Sequence, residues 1–313
     1  MARELQTIGA REVADLRPNR VRRTLRIAWG MAKAKPLGAI SAFAIFSMLV
    51  IAIFAPLIAP FEHDQLFVGG RAESPSWDHW LGTDILGRDV MSRVIFGARI
   101  SMYVGFVAVI VSTAIGAFIG LVTGYFQGAL DLIVQRFIDA INSFPPLILA
   151  LGIIAIRGAS INNALIVITI VLIPGAARII RGAVLSVKQN AYVDASLALG
   201  ATDQRIIFRH ILPNVVAPII VNASILLGAA ILFEASLSFL GAGAKNTDPS
   251  WGAMISGRAG TGVDQTLDFQ LWPWIAIVPA AAISIAVFSF NLLGDAARDL
   301  LDPRLRGTGG RLR

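Results

Sequence analysis

The stretch ISMYVGFVAVIVSTAIGAFIGLVTGYF, Ile100 to Phe126, runs for 27 residues without a charged side chain. A helix crosses a bilayer in roughly 20 mainly apolar residues, so this run is a membrane span. Leu37 to Ile58 and Leu271 to Leu293 also carry no charge. Phe137 to Ile156 contains Asp139, and Val215 to Phe239 contains Glu234; both are long enough to cross if the carboxyl group faces protein. Ala164 to about Leu185 has 14 uncharged residues before Arg178, so Arg178 and Arg181 must snorkel to an interface or pair.

Composition agrees with six crossings. Of 313 residues, 56% are hydrophobic and 15% charged, with a mean hydropathy of +0.70. Soluble domains hold roughly 45–50% apolar and ~25% charged residues, so disorder and a soluble enzyme core are excluded. The expected fold class is an all-α integral membrane protein with six transmembrane helices. With no cysteine, disulfide scaffolds, thiolate metal sites and cysteine nucleophiles are out, and three histidines, His63, His79 and His210, argue against imidazole clusters. No cofactor is expected.

Six crossings place both termini on one side. Lys and Arg near helix ends stay in the cytoplasm. Nine lie in residues 1–36, one at Arg136, five in 175–213 and five in 295–313; only seven fall in the opposite loops. Both termini are therefore expected to be cytoplasmic, and the net charge of +7 reads as flanking charge in contact with anionic membrane lipid, with no nucleic-acid role. A basic leader of 36 residues before a 22-residue apolar core is too long for a cleaved signal peptide, so the first span is expected to stay as an anchor. The layout is a basic tail with helix lead-in at 1–36, the first span at 37–58, an extracytoplasmic loop at 59–99, a five-helix core at 100–294 with a cytoplasmic loop near 186–213, and a tail at 295–313.

In the 59–99 loop, Trp77 and Trp80 precede Leu81-Gly82-Thr83-Asp84-Ile85-Leu86-Gly87-Arg88-Asp89. Thr83 or Asp84 can cap a short helix, on which Asp84 with Arg88 and Asp89 with Arg93 stand four apart and Leu86, Val90 and Val94 form an apolar stripe. The expectation is a helix along the membrane surface. Two readings stay open: a Trp-anchored interfacial helix, or contact of Trp80, Asp84, Arg88 and Asp89 with an external protein.

Between the fourth and fifth spans, Ala191 to Ala201 and then Thr202 to Pro213 read as helix, glycine turn, helix, stop. Small residues at 191, 195, 196 and 198 allow close approach of another surface, Gly200 permits a turn, and Pro213 is expected to end the second helix. A partner-docking element and an ordinary connection are both compatible with these residues.

Asp194-Ala195-Ser196, Gly200 and Leu212-Pro213 resemble the EAA loop of ABC-importer permeases, the loop that seats in the ATPase subunit. Asp194 stands where Glu is usual, Ser196 replaces the second Ala, and His210 stands where Ile is general. Arg209-His210-Ile211-Leu212-Pro213-Asn214 is similar to the dipeptide/oligopeptide branch. So are Leu81 to Asp84 with Gly87-Arg88-Asp89, Leu237 to Gly241, Pro249 to Gly252, Asn291 to Asp295 and Leu301 to Arg304. The likeness runs from about residue 77 to 306 and is to the C-type subunit.

The resemblance implies a type I ABC importer permease fold in a bacterial or archaeal cell (inner) membrane. It implies a coupling loop made by Tyr192, Asp194, Ala195, Ser196, Gly200, Ala201, His210, Leu212 and Pro213. The partners it implies are a paralogous permease in a heterodimer, two ABC ATPase subunits and an extracytoplasmic solute-binding protein. The implied cargo is a peptide or similar small solute; relatives carry nickel chelates, glutathione or opine-like compounds.

Inside the bilayer an unpaired carboxylate costs at least ~2.5 kcal/mol, so Asp139 and Glu234 need partners or water. Each is read either as structural or, with Asn142, as lining a translocation path. Pro145-Pro146 is expected to kink the third span. Gly116, Gly120 and Gly124 form a stripe for close helix contact. No glycine is followed by lysine, so the phosphate-cradling Gly-x-x-x-x-Gly-Lys loop is absent, as are His-Glu-x-x-His and Gly-x-Ser-x-Gly. The chain is expected to perform no bond chemistry, with ATP hydrolysis on separate subunits. A self-sufficient secondary transporter should show inverted repeats and ion-coupling residues, and a membrane-embedded enzyme should show polar clusters at one depth; neither signature is visible.

Overall fold

The computed structural model describes residues 35–243, 248–256 and 270–301. The two terminal tails, apart from their helix-proximal residues, and the Asp302-Pro303-Arg304 end of the last motif lie outside the described residues. Among the described residues the regular elements are helices, joined by loops and one isolated two-residue bridge.

The first span is α1, Pro36–Ile53, with α2, Ala55–Ile58, continuing it after a break at Phe54. Proline at the helix start costs nothing because that N–H has no helical partner. The second is α3, Val90–Phe126, which begins ten residues before the uncharged run because Asp89 caps it, its carboxylate accepting from the Ser92 amide. The fourth is α6, Ile161–Lys188, capped by Ser160. The fifth runs from Asp203 to Phe239 as one apolar unit, and the sixth is α11, Pro273–Leu301.

The third span is not a single rod. α4, Gly128–Asn142, and α5, Pro146–Arg157, pass together as one apolar crossing but bend by 84° between them. Pro145 and Pro146 both lack the amide that would carry the helix across, so the expected kink becomes a full break. Among the described residues five helices are long and apolar enough to cross a membrane, and this bent pair, taken as one span, is the sixth.

The glycine stripe explains the most extensive helix pairing, α3 with α6. A Cβ at Gly116 would sit 2.6 Å from the Ala176 Cβ, at Gly120 2.8 Å from the Ala177 carbonyl oxygen, and at Gly124 2.9 Å from the Val184 Cβ. α3 and α6 thus meet backbone to backbone, which no larger residue would permit. Trp251 and Phe290 anchor a second core where α10, Trp251–Ile255, meets α3, α11 and α9, Leu212–Phe239; the buried Trp251 indole donates to the Val94 carbonyl at 2.9 Å.

Candidate functional site

The loop between α6 and α9 holds α7, Ala191–Ala198, and α8, Asp203–Ile206. α7 ends in a paired closure: the Gly200 amide donates to the Leu197 carbonyl at 2.9 Å and the Ala201 amide to that of Ser196 at 3.1 Å. This is the Schellman arrangement, which needs a left-handed residue at its centre, and Gly200 has φ of +79°. Thr202 then caps α8, accepting from the Arg205 amide.

Pro213 does not end the second helix. α8 passes through a π-helical turn, Ile207–Ile211, directly into α9, and Pro213 lies in the first turn of that helix. The wider turn shifts the hydrogen-bond register by one residue, which accommodates the missing proline amide and its clash with the carbonyl four residues back. The Asn214 side chain donates to the His210 carbonyl at 2.6 Å. The loop is therefore continuous with the fifth span.

One face of the loop is packed and the other open. Val193, Ile206, Ile211 and Val215 are fully buried with Tyr125, Ile180 and Val184. Asp194, Ala195, Ala198, Gly200 and Pro213 are exposed, with Ser196, Ala201, His210 and Leu212 half-buried. Tyr192 is exposed, its ring 6.2 Å from that of His210, and its carbonyl accepts from the Ser196 hydroxyl at 2.7 Å. Leu199 projects at 88% exposure beside the open Gly200, where an added Cβ would meet nothing within 4 Å.

Three residues that the sequence did not single out hold this loop. The Tyr125 hydroxyl at the end of α3 donates to Asp203 at 2.6 Å, and the Lys188 ammonium donates to the Tyr125 carbonyl at 2.6 Å while lying 5.1 Å from its ring centre. The Tyr125 and Asp203 positions are 78 apart in the chain, beyond any local pattern.

Asp131, Asp139, Arg178, Arg181 and Glu234 all find partners. Arg181 makes a two-pronged contact with Asp131, at 2.7 and 2.5 Å, and Arg178 reaches Asp139 at 2.9 Å. Asp139 thus pairs across helices and not with Arg136 on its own. Pairing, one of the two expected outcomes for these arginines, is what the fold provides. Asp139 and Arg178 remain about half exposed, and Asn142 is exposed one turn beyond. Glu234 is instead enclosed at 2% exposure, accepting from Ser101 at 3.0 Å and Ser238 at 2.8 Å. In this conformation it faces helix, not an open path.

The surface helix expected from a Thr83 or Asp84 cap through Val94 does not form as such: helix begins only at Val90, as the start of α3. Leu81 to Asp89 forms a tight turn closed by an antiparallel bridge between Thr83 and Asp89, with Gly82 and Gly87 at φ of +74° and +69°. Asp84 accepts from the Leu86 and Arg88 amides, taking up the donors that a helix would have used. The Asp84–Arg88 pair exists, at 2.7 Å, but both residues are buried, and Arg93 stands 3.7 Å from the same carboxylate. Asp89 is buried too, facing His79 at 3.1 Å and Ser92. Of the four proposed contact residues, only Trp80 presents itself outward, 63% exposed, beside Trp77 at 94%.

The family model described as "Binding-protein-dependent transport system inner membrane component" matches residues 116–307. The chain is 40% identical over 281 residues to the dipeptide transport system permease protein DppC of Alkalihalophilus pseudofirmus, covering 90% of each chain. It is 38% identical over 293 residues to the glutathione transport system permease protein GsiD of Escherichia coli, covering 93% of this chain and 94% of that one. Among solved structures, an inward-facing form of the MetNI methionine ABC transporter aligns with a TM-score of 0.56 at 19% identity, over 68% of this chain and 98% of the other. At that identity the likeness is one of fold.

Proposed function

We propose a peptide-carrying role for this chain, which belongs to the family of inner-membrane components of binding-protein-dependent transport systems. Members of that family are transport subunits, not enzymes, and work with an ATPase and a solute-binding protein. Membership sets aside the self-sufficient secondary transporter and the membrane enzyme.

The observation that carries the peptide assignment is 38–40% identity over nine tenths of the chain to a dipeptide and a glutathione permease, both short peptides. The chain would form half of a heterodimeric pathway with a paralogous permease, and two ATPase subunits would seat on the open face of the 191–213 loop. Its exposed Asp194, Ala195, Ala198 and Gly200, on a rigid closure continuous with α9, support that use. Nucleotide-driven closure of the ATPases would move the loop as a body and tilt the attached helices between inward-open and outward-open states. The half-exposed Asp139–Arg178 pair and Asn142, at the break in the third span, suit the wall of a wet path, because charges at that depth avoid lipid. Glu234, enclosed by its serines, is assigned a structural role. Both termini and the 191–213 loop are placed in the cytoplasm from the distribution of basic residues. On the opposite side, Trp77 and Trp80 remain for membrane anchoring or contact with the binding protein.

Reconstitution tests this. Vesicles holding this chain, the paralogous permease, both ATPases and the binding protein should accumulate labelled dipeptide or glutathione only with internal ATP. Purified chain alone should hydrolyse none. Accumulation by this chain alone, or ATP-driven uptake by the complex of neither peptide, overturns the reading.

A further inference from the structure

The 191–213 loop is joined through the backbone to two long helices. α7 follows α6 after Gln189 and Asn190, and α8 runs through the π turn into α9. α3 has no such connection, because the chain leaves it at Gln127 for α4. Yet α3 is the central element of the fold, fused to α6 along the glycine stripe and in contact with α1, α9, α10 and α11. A displacement of the loop can reach α3 by packing through α6; to act on the inner end of α3 without that intermediary it needs a side-chain connection.

Tyr125 is placed to be that connection. Its ring is 5% exposed and packs among Ile180, Val184, Val193, Ile206, Ile211 and Val215, which belong to α6, α7, α8, the π turn and α9. Its hydroxyl leaves this apolar cluster to donate to Asp203, the first residue of α8. Lys188, the last residue of α6, grips the same tyrosine at its carbonyl and over its ring. A phenol that only filled space would gain nothing from its oxygen; here the oxygen ends on the loop and the ring stays in the bundle.

We infer that Tyr125 is a positioning residue for coupling: through Asp203 it makes the end of α3 move with the docking loop, so that nucleotide-driven motion reaches the helices as one body. The inference rests on the loop being the ATPase seat and adds the route by which its motion enters α3. Without the hydroxyl, the loop can shift against α3 while the ATPase cycle continues.

The test is the ratio of ATP hydrolysed to solute accumulated in the reconstituted complex, using whichever of labelled dipeptide or glutathione the wild-type vesicles accumulate. Tyr125→Phe keeps the ring, the Lys188 contact and the cluster, so assembly should match wild type and thermal unfolding should shift by no more than the loss of one ordinary hydrogen bond. The ratio should rise about fivefold, the worth of one hydrogen bond of ordinary strength. Asp203→Ala should give the same rise. Asp203→Asn, which keeps a carbonyl oxygen to accept from the phenol, should stay within about twofold of wild type. A purely structural tyrosine would change unfolding and not the ratio, and would show no recovery with asparagine. Wild-type ratios in both Tyr125→Phe and Asp203→Ala overturn the inference. Gly200→Leu separates the two levels: if it uncouples and Tyr125→Phe does not, the loop still seats the ATPase and only the tyrosine connection falls. If neither uncouples, the loop assignment falls with it.

Discussion

The two ends of the helix bundle carry segments of opposite construction. At one end, Leu81 to Arg93 folds its charges inward: Asp84, Arg88, Asp89 and Arg93 are all buried, tied to one another and to backbone amides. At the other end, Ala191 to Pro213 folds Val193, Ile206 and Ile211 inward and leaves open a face of small and polar residues with Leu199 and Phe208 among them. The first segment spends its polar groups on its own architecture, capping α3 and fastening the turn to α11 through the Trp274 indole and the Thr83 carbonyl. The second satisfies its backbone internally and so has its surface free for a partner. Charged residues in a loop thus do not of themselves mark a contact surface; under the proposed docking, the mark is a rigid backbone whose outward side chains have no internal task.

The comparison predicts that substitutions at the two ends fail differently. The largest effect on folding belongs to Asp84→Ala, which strands the Arg88 and Arg93 guanidinium groups in a buried site. Breaking a buried pair costs about 3–5 kcal/mol, so the purified chain in detergent should unfold at markedly lower temperature or fail to accumulate. An unchanged unfolding midpoint would mean that the turn is not structural.

Gly200→Leu should do less to folding and more to function. The added Cβ meets nothing in the chain, so the cost is the left-handed backbone alone, about 1–2 kcal/mol. Transport should nonetheless fall to background, because leucine projects from the open face where the ATPase would sit. Full transport by this variant would make the loop an ordinary connection.

The smallest effect on folding is expected from a pair of single cysteines in a chain that has none: Trp77→Cys and Ala198→Cys, both at exposed positions. Surface changes of this kind stay within about 0.5 kcal/mol. A membrane-impermeant thiol reagent should label the cysteine at 77 in cells with a permeabilised outer envelope, and that at 198 only after the inner membrane is opened. The reverse order would invert the proposed orientation. The cysteine at 198 should also crosslink to cysteines on the ATPase surface in the assembled complex.

The membrane class, the apolar spans, the close α3–α6 contact and the motif behind the proposed docking loop were legible in the sequence. Each rests on a local property: uninterrupted apolar length, a glycine every fourth residue, or a motif within about twenty consecutive positions. It was wrong at Pro213 and at 81–89, where local rules compete. Proline opposes a helix, but a π turn absorbs it; charges four apart suit a helix, but Asp84 binds the amides of a turn and burial rewards the tighter fold. Only the tertiary structure decided which arginine meets which carboxylate, that Ser101 and Ser238 satisfy Glu234, and that Tyr125 reaches Asp203. Those pairings join residues on different helices, and a hydrogen bond between elements depends on how the helices are packed and rotated, which no periodicity along one helix records.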